Sequence, residues 1–215
     1  MSSLSAFKFY LPASKYGIFT LWGTGLIDRS GTDPERDRSK WTYEQDKQNQ
    51  DVKQYMGAFG IGHKIHINES TFIKSTLAAT VSGLDMHTEL MNQDNVLLPK
   101  NRIKNTNWNY IFTSSLNTKF NDFHTNKTGV QWTGLQYNMF MKYARYSGDT
   151  PKIISDESGK SSLLSAFSSS IFHLSQRMDM TLGITSQYFT LNHHYTIEPR
   201  VALKWELSKS QSLSF

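Results

Sequence analysis

Three kinds of side-chain grouping in this sequence could do chemistry. His193-His194 and His63-x-x-His66 place metal-ligand types close together. On an extended chain, residues at i,i+1 or i,i+3 point to opposite faces, so neither pair closes easily on one ion. Glu198 and Glu206 are carboxylates on one strand face and could share acid–base work. Eight residues separate them, about 26 Å at the usual strand rise. That is too far for a glycosidase pair. The same-face neighbours Glu198 with Arg200, and Lys204 with Glu206, read instead as salt bridges. Gly23-Thr24-Gly25 and Gly57-Ala58-Phe59-Gly60-Ile61-Gly62 have phosphate-loop spacing, but neither opens a helix. Ser168-Ser169-Ser170 has no nucleophile-elbow setting. With no cysteine, thiol catalysis, Cys-ligated zinc and disulfides are excluded. The residues predict no enzyme, no metal and no cofactor.

The elements that would carry these groups are strands. Ile197, Pro199, Val201, Leu203, Trp205 and Leu207 alternate with Glu198, Arg200, Ala202, Lys204 and Glu206. Period-two alternation of this kind gives a strand one apolar and one polar face. Residues 106–120, 127–145, 73–82 and 178–185 repeat the pattern. Residues 15–26 and 161–175 are strand-like without a clear phase. Val130 and Trp132 are out of phase with Leu135, Tyr137, Met139 and Met141, which predicts a β-bulge at Gly134. Glu44 to Tyr55 could form a short helical turn.

Apart from a short link near His193 and His194, the connections alternate short and long. Tight links are expected at Pro12-Ala13-Ser14, Asn68-Glu69-Ser70, Ser175-Gln176-Arg177 and Ser208-Lys209-Ser210, and long loops at 27–54, 88–105 and 146–160. In an up-and-down sheet, all long loops then lie on one edge and the tight turns on the other. Alternation over about 15 to 19 residues exceeds the usual 5–6. About 9–11 suffice to cross a bilayer. Long two-faced strands with one-sided loops describe a membrane β-barrel, because hydrocarbon leaves no solvent to satisfy an open strand edge. Trp108, Tyr110 and Tyr143 would form one aromatic girdle, and Phe120 and Trp205 the other. Glu198, Arg200, Lys204 and Glu206 would face the lumen. Trp41, Tyr43, Arg102 and Tyr146 are the candidate ligand contacts, since loop aromatics and Arg are common anchors. A soluble antiparallel β protein, such as an adhesion or carbohydrate-binding module, explains the alternation equally well. It explains the strand lengths and the one-sided loops poorly.

Composition agrees. The chain has 215 residues, 13% of them aromatic, with 23 basic and 18 acidic side chains and a net charge of +5. It is too aromatic and too weakly charged for a disordered chain. No apolar run is long enough for a transmembrane helix. The densest charged stretch, Asp28 to Lys53, carries seven acids and six bases. Near-cancelling charge does not make a nucleic-acid groove, so no nucleic acid is expected.

Two stretches carry a family resemblance. Tyr195-Thr196-Ile197-Glu198-Pro199-Arg200-Val201-Ala202-Leu203-Lys204-Trp205 resembles a late barrel strand of TonB-dependent outer-membrane receptors. Tyr16-Gly17-Ile18-Phe19-Thr20-Leu21-Trp22-Gly23-Thr24-Gly25, with its charged loop, resembles an earlier strand of Bacteroidetes-type receptors. The resemblance implies a bacterial outer-membrane location and a 22-stranded barrel filled by an N-terminal plug. It also implies import of a siderophore, a cobalamin or a glycan, driven by the TonB complex acting through the plug. About ten strands are expected here, with the plug, TonB box and signal peptide absent, so residues 1–215 read as one barrel segment, a fragment of the whole. Its surroundings would be outer-membrane lipid. A passive porin-like or structural barrel is the alternative.

Overall fold

The computed structural model describes residues 1–146, 148–208 and 211–215, with backbone alone at Pro12 and Ala13. Ten strands form one antiparallel sheet in chain order. They are β1 (Ser2–Ser14), β2 (Gly17–Thr32), β3 (Gln48–Asn68), β4 (Thr71–Met91) and β5 (Leu97–Asn121), then β6 (His124–Tyr143), β7 (Lys152–Ser175), β8 (Met178–Phe189), β9 (His194–Ser208) and β10 (Gln211–Ser214). Among the described residues, β1 and β10 do not pair with each other and form the two edges.

The tight turns share one device. In each, the side-chain oxygen of the last strand residue accepts from the backbone N–H two residues on. Ser14 accepts from Tyr16, Asn68 from Ser70, Asn121 from Phe123 and Ser175 from Arg177, at 2.9–3.2 Å. Asx- and Ser-turns of this kind reverse the chain in two residues. The link expected at Ser208-Lys209-Ser210 lies at residues 209–210, outside the described residues.

Directly opposed residues of antiparallel strands share a face, so the register sorts every side chain. One face carries Phe59, Ile61, Leu77, Val81, Phe112, Leu182, Val201 and Leu203; the other carries Thr76, Thr80, Asn109, Thr113, Thr181, Thr185 and Arg200. On β5 the apolar face runs from Phe120 to Trp108, twelve residue steps. That is about 40 Å along the strand, or about 30 Å of height at the usual barrel tilt. A bilayer's hydrocarbon core is about 30 Å thick. The whole of β5 is 25 residues long, so it rises roughly 30 Å beyond such a core on the long-loop side.

That overhang corrects three expectations. The register of β6 against β5 and β7 runs unbroken through Gly134, so there is no bulge there. Instead the apolar residues change sides. Val130 and Trp132 lie on the apolar face, whereas Tyr137, Met139 and Met141 lie on the polar face of the sheet. From the upper border of the apolar band onward the outer side of β6 needs no hydrocarbon contact, so Gln136, opposite Trp108, and Asn138 occupy it. Tyr143 likewise shares the face of Asn101 and Thr88 rather than that of Trp108. The loops are also shorter than the expected 27–54, 88–105 and 146–160. The connections span 33–47, 92–96 and 144–151. Backbone pairing continues through segments that are polar on both faces, where alternation gives no signal. The helical turn is confined to a 3₁₀ turn at Glu44–Lys47, with a second at Arg38–Lys40.

Candidate functional site at the long-loop rim

The loop 33–47 is tied to itself by backbone and side-chain bonds. Asp46 accepts from the backbone N–H groups of Thr42 and Tyr43, both at 2.7 Å. These bonds hold its carboxyl below the usual range, the Tyr43 N–H contributing most. Asp37 is lowered too, first by the Ser39 hydroxyl and then by the Ser39 N–H. Trp41 donates its indole N–H to the carbonyl of Glu35 at 2.6 Å, and Lys47 Nζ lies 5.1 Å from its ring centre. Arg38 Nε reaches Asn95 Oδ1 in the neighbouring connection at 3.4 Å. The side chains of Leu90, Met91 and Ala144 are buried, the first two against the hollow that the loop borders.

Between this loop and residues Arg145 and Tyr146 lies a cavity of about 550 Å³. Trp41, Tyr43 and Tyr146 all line it. Lys100, Lys47, Arg145 and Glu44 supply its charge. Lys100 sits deepest, its side chain 12% exposed. Its Nζ lies 3.9 Å from Glu44 Oε1 and 4.8 Å from the Tyr143 ring centre, and it donates to the Arg145 carbonyl at 3.4 Å. Arg145 and Tyr146 form a wall shared with a second cavity of about 710 Å³, which Asp149 and Lys152 also line. Tyr43 and Tyr146 are exposed, whereas Trp41 is half-buried and staples its own loop. The arrangement can hold a flat or conjugated anion: aromatic planes at the mouth, three cations against one carboxylate within.

Arg102 is not in this group. It lies on β5, on the face of Trp108, and pairs with Asp85 of β4 at 2.8 Å. Sequence reasoning missed Lys100 and Arg145. Lys100 falls in a stretch expected to be loop, and Arg145 at the last position of one expected to be strand, two residues beyond the end of β6; the bulge between Thr88 and Glu89 that turns Lys100 inward is visible only in the register.

The charges of β9 form their own group on the polar face. Arg200 meets Glu198 at 3.1 Å, and Lys204 meets Glu206 at 2.8 Å. Lys204 stands opposite Asp179, which meets His173 Nδ1 at 2.7 Å, so a chain of polar groups runs across three strands. His63 and His66 fall on opposite faces, His63 stacked on Phe19 with ring centres 4.5 Å apart.

No family model matches the chain, and no curated protein matches it. Solved structures do. The outer membrane transporter YddB from Escherichia coli aligns over 96% of this chain and 29% of its own, with TM-score 0.60 and 11% identity. The siderophore receptor PiuA from Acinetobacter baumannii aligns over 99% of this chain and 40% of its own, with TM-score 0.56 and 12% identity. The fold is therefore that of a segment of outer-membrane transporter barrels, all-β, antiparallel and up-and-down. The chain spans less than half the length of either structure.

Proposed function

We propose that this chain is wall and rim of a TonB-dependent outer-membrane receptor that imports a scarce ligand. The observation that carries the reading is the two-faced sheet, whose apolar band matches a bilayer in height and whose long-loop rim holds a cationic, aromatic cavity. The polar face lines the lumen, where Glu198, Arg200, Lys204 and Glu206 pair at little cost in water. Tyr43, Tyr146, Lys100 and Arg145 grip the ligand first, with Trp41 shaping the loop. The cavity's charge favours an anionic ligand, a ferric siderophore before a cobalamin or a neutral glycan. The TonB complex acts through a plug domain inside the barrel, and the open edges β1 and β10 meet further strands.

The test is uptake by cells carrying the full-length protein. Radiolabelled ferric siderophores, cobalamin and oligosaccharides are supplied with and without a protonophore. One ligand class should accumulate, and the protonophore should abolish it. Accumulation that survives the protonophore would indicate a passive barrel. Recovery of the protein away from the outer-membrane fraction would indicate a soluble β module.

A further inference from the structure

The apolar face does not end in neutral residues at its upper border. Register places Arg29, Lys53, Asp85 and Lys104 side by side on β2, β3, β4 and β5. The row above reads Asp51, His87, Arg102 and Lys142 on β3, β4, β5 and β6. All share the face of Tyr55, Phe112 and Trp108. Five cations therefore stand against two carboxylates, and one of these, Asp85, is held by Arg102 at 2.8 Å. Among the described residues, Arg29, Lys53, Lys104 and Lys142 have no ion-pair partner within 4.0 Å. On β7 the same face carries Asp156 and Lys160, which cancel.

Height fixes what this patch meets. One same-face step along a strand is about 6.6 Å, or about 5 Å of rise at barrel tilt. The headgroup layer adds about 5–8 Å to each side of the hydrocarbon. Lys53 is one step above Tyr55, and Lys104 two steps above Trp108. Long cationic side chains bend toward the interface, so their ammonium groups lie at headgroup depth. Lys53 Nζ is 5.9 Å from the Tyr55 ring centre, bent down onto the aromatic border, and Lys142 Nζ is 5.4 Å from that of Phe140. A patch at this depth, facing away from the lumen, meets lipid.

We infer that Lys53 and Lys104, with Arg29 beside Lys53 in the same row, form a binding surface for the phosphate groups of lipid headgroups in the outer leaflet. Charge complementarity at a fixed depth supports it, given the membrane reading above. The patch orders such lipids around β2–β5, below the ligand-binding rim.

The experiment uses full-length protein purified in mild detergent. Native mass spectrometry measures its uptake of two lipids from mixed micelles: a glycolipid bearing two phosphomonoesters, and phosphatidylcholine. The wild type should prefer the diphosphorylated lipid about tenfold. The double variant Lys53→Gln/Lys104→Gln should lose at least fivefold of that preference. Lys8→Gln/Lys64→Gln, which removes the same charge from the polar face, should keep it. Equal preference in wild type and Lys53→Gln/Lys104→Gln, or none in the wild type, overturns the inference. Inorganic phosphate that displaces the glycolipid at equal concentration also overturns it, since the membrane would then not be the source. A protein that stays soluble without detergent would sink the membrane reading itself, a separate result.

Discussion

Tyr55 of β3 lies across Gly83 of β4, and its hydroxyl meets Thr106 Oγ1 of β5 at 2.8 Å. One aromatic thus clamps three strands at the upper border of the apolar band. It can do so because position 83 has no side chain: a Cβ there would run into Tyr55 Cζ. Trp22 over Gly60 and Tyr137 over Gly159 repeat the arrangement.

Gly83→Val should therefore displace Tyr55 and break its bond to Thr106. The expected loss is about 1–3 kcal/mol, as for overpacking elsewhere. Urea unfolding of the full-length protein in detergent measures it. Tyr55→Phe, which keeps the ring, should cost about 1 kcal/mol. An unchanged midpoint in Gly83→Val would remove the clamp from the account.

A charge should be tolerated on one face of β5 and not on the other. Phe112 faces the apolar side near the middle of the band, and Thr113 the polar side. Phe112→Arg should destabilise by about 2–4 kcal/mol in a bilayer. Thr113→Arg should have little effect. Refolding into phospholipid vesicles at several urea concentrations separates the two.

The rim cavity predicts a pattern of affinities in the full-length receptor. Lys100→Ala and Tyr146→Ala should each weaken ligand binding about tenfold or more, the size of a central interface contact. Trp41→Ala should weaken it too, by loosening the loop that carries Tyr43. Arg102→Ala, which lies outside the cavity, should leave the Kd unchanged. Isothermal titration with the imported ligand decides among these.

Acid should release the rim loop. The Asp46 and Asp37 carboxyls are held below their ordinary value of 3.8 in the folded loop. Their contribution is therefore complete above about pH 4 and fades as pH falls through the lowered values. Fluorescence of Trp41, followed from pH 6 to pH 2, should shift only at the acid end. Asp46→Asn should flatten that step. A shift centred near neutrality would assign the loop's hold to other groups.

How much of this was legible in sequence depended on where each strand meets hydrocarbon. On β5, Trp108 to Phe120 alternates because bilayer selects one face, and its phase is confirmed by the register. On β6 the same reading failed at Gly134. The apolar residues above it obey the cavity side, not the lipid side, and sequence cannot show where the membrane stops. Rows such as Gln48-Asn49-Gln50-Asp51 pair as strand while polar on both faces, so the loops looked too long. Tyr43 and Tyr146 were visible as rim aromatics because alternating links put both on one edge. Lys100 was not, since a bulge decides its direction. Arg102 was legible as a charge near the rim but not as one facing outward.

The central claim is that one face of this sheet meets lipid and the other water. The chain contains no cysteine, so single substitutions give an unambiguous label. Cysteines placed at Tyr110, Phe112 and Leu116, and at Asn109, Thr113 and Asn117, would be exposed to a small water-soluble maleimide in intact outer membranes. The account predicts labelling at 109, 113 and 117 and protection at 110, 112 and 116, with both Arg102→Cys and Ile103→Cys labelled above the band. Equal labelling at all six band positions would contradict it.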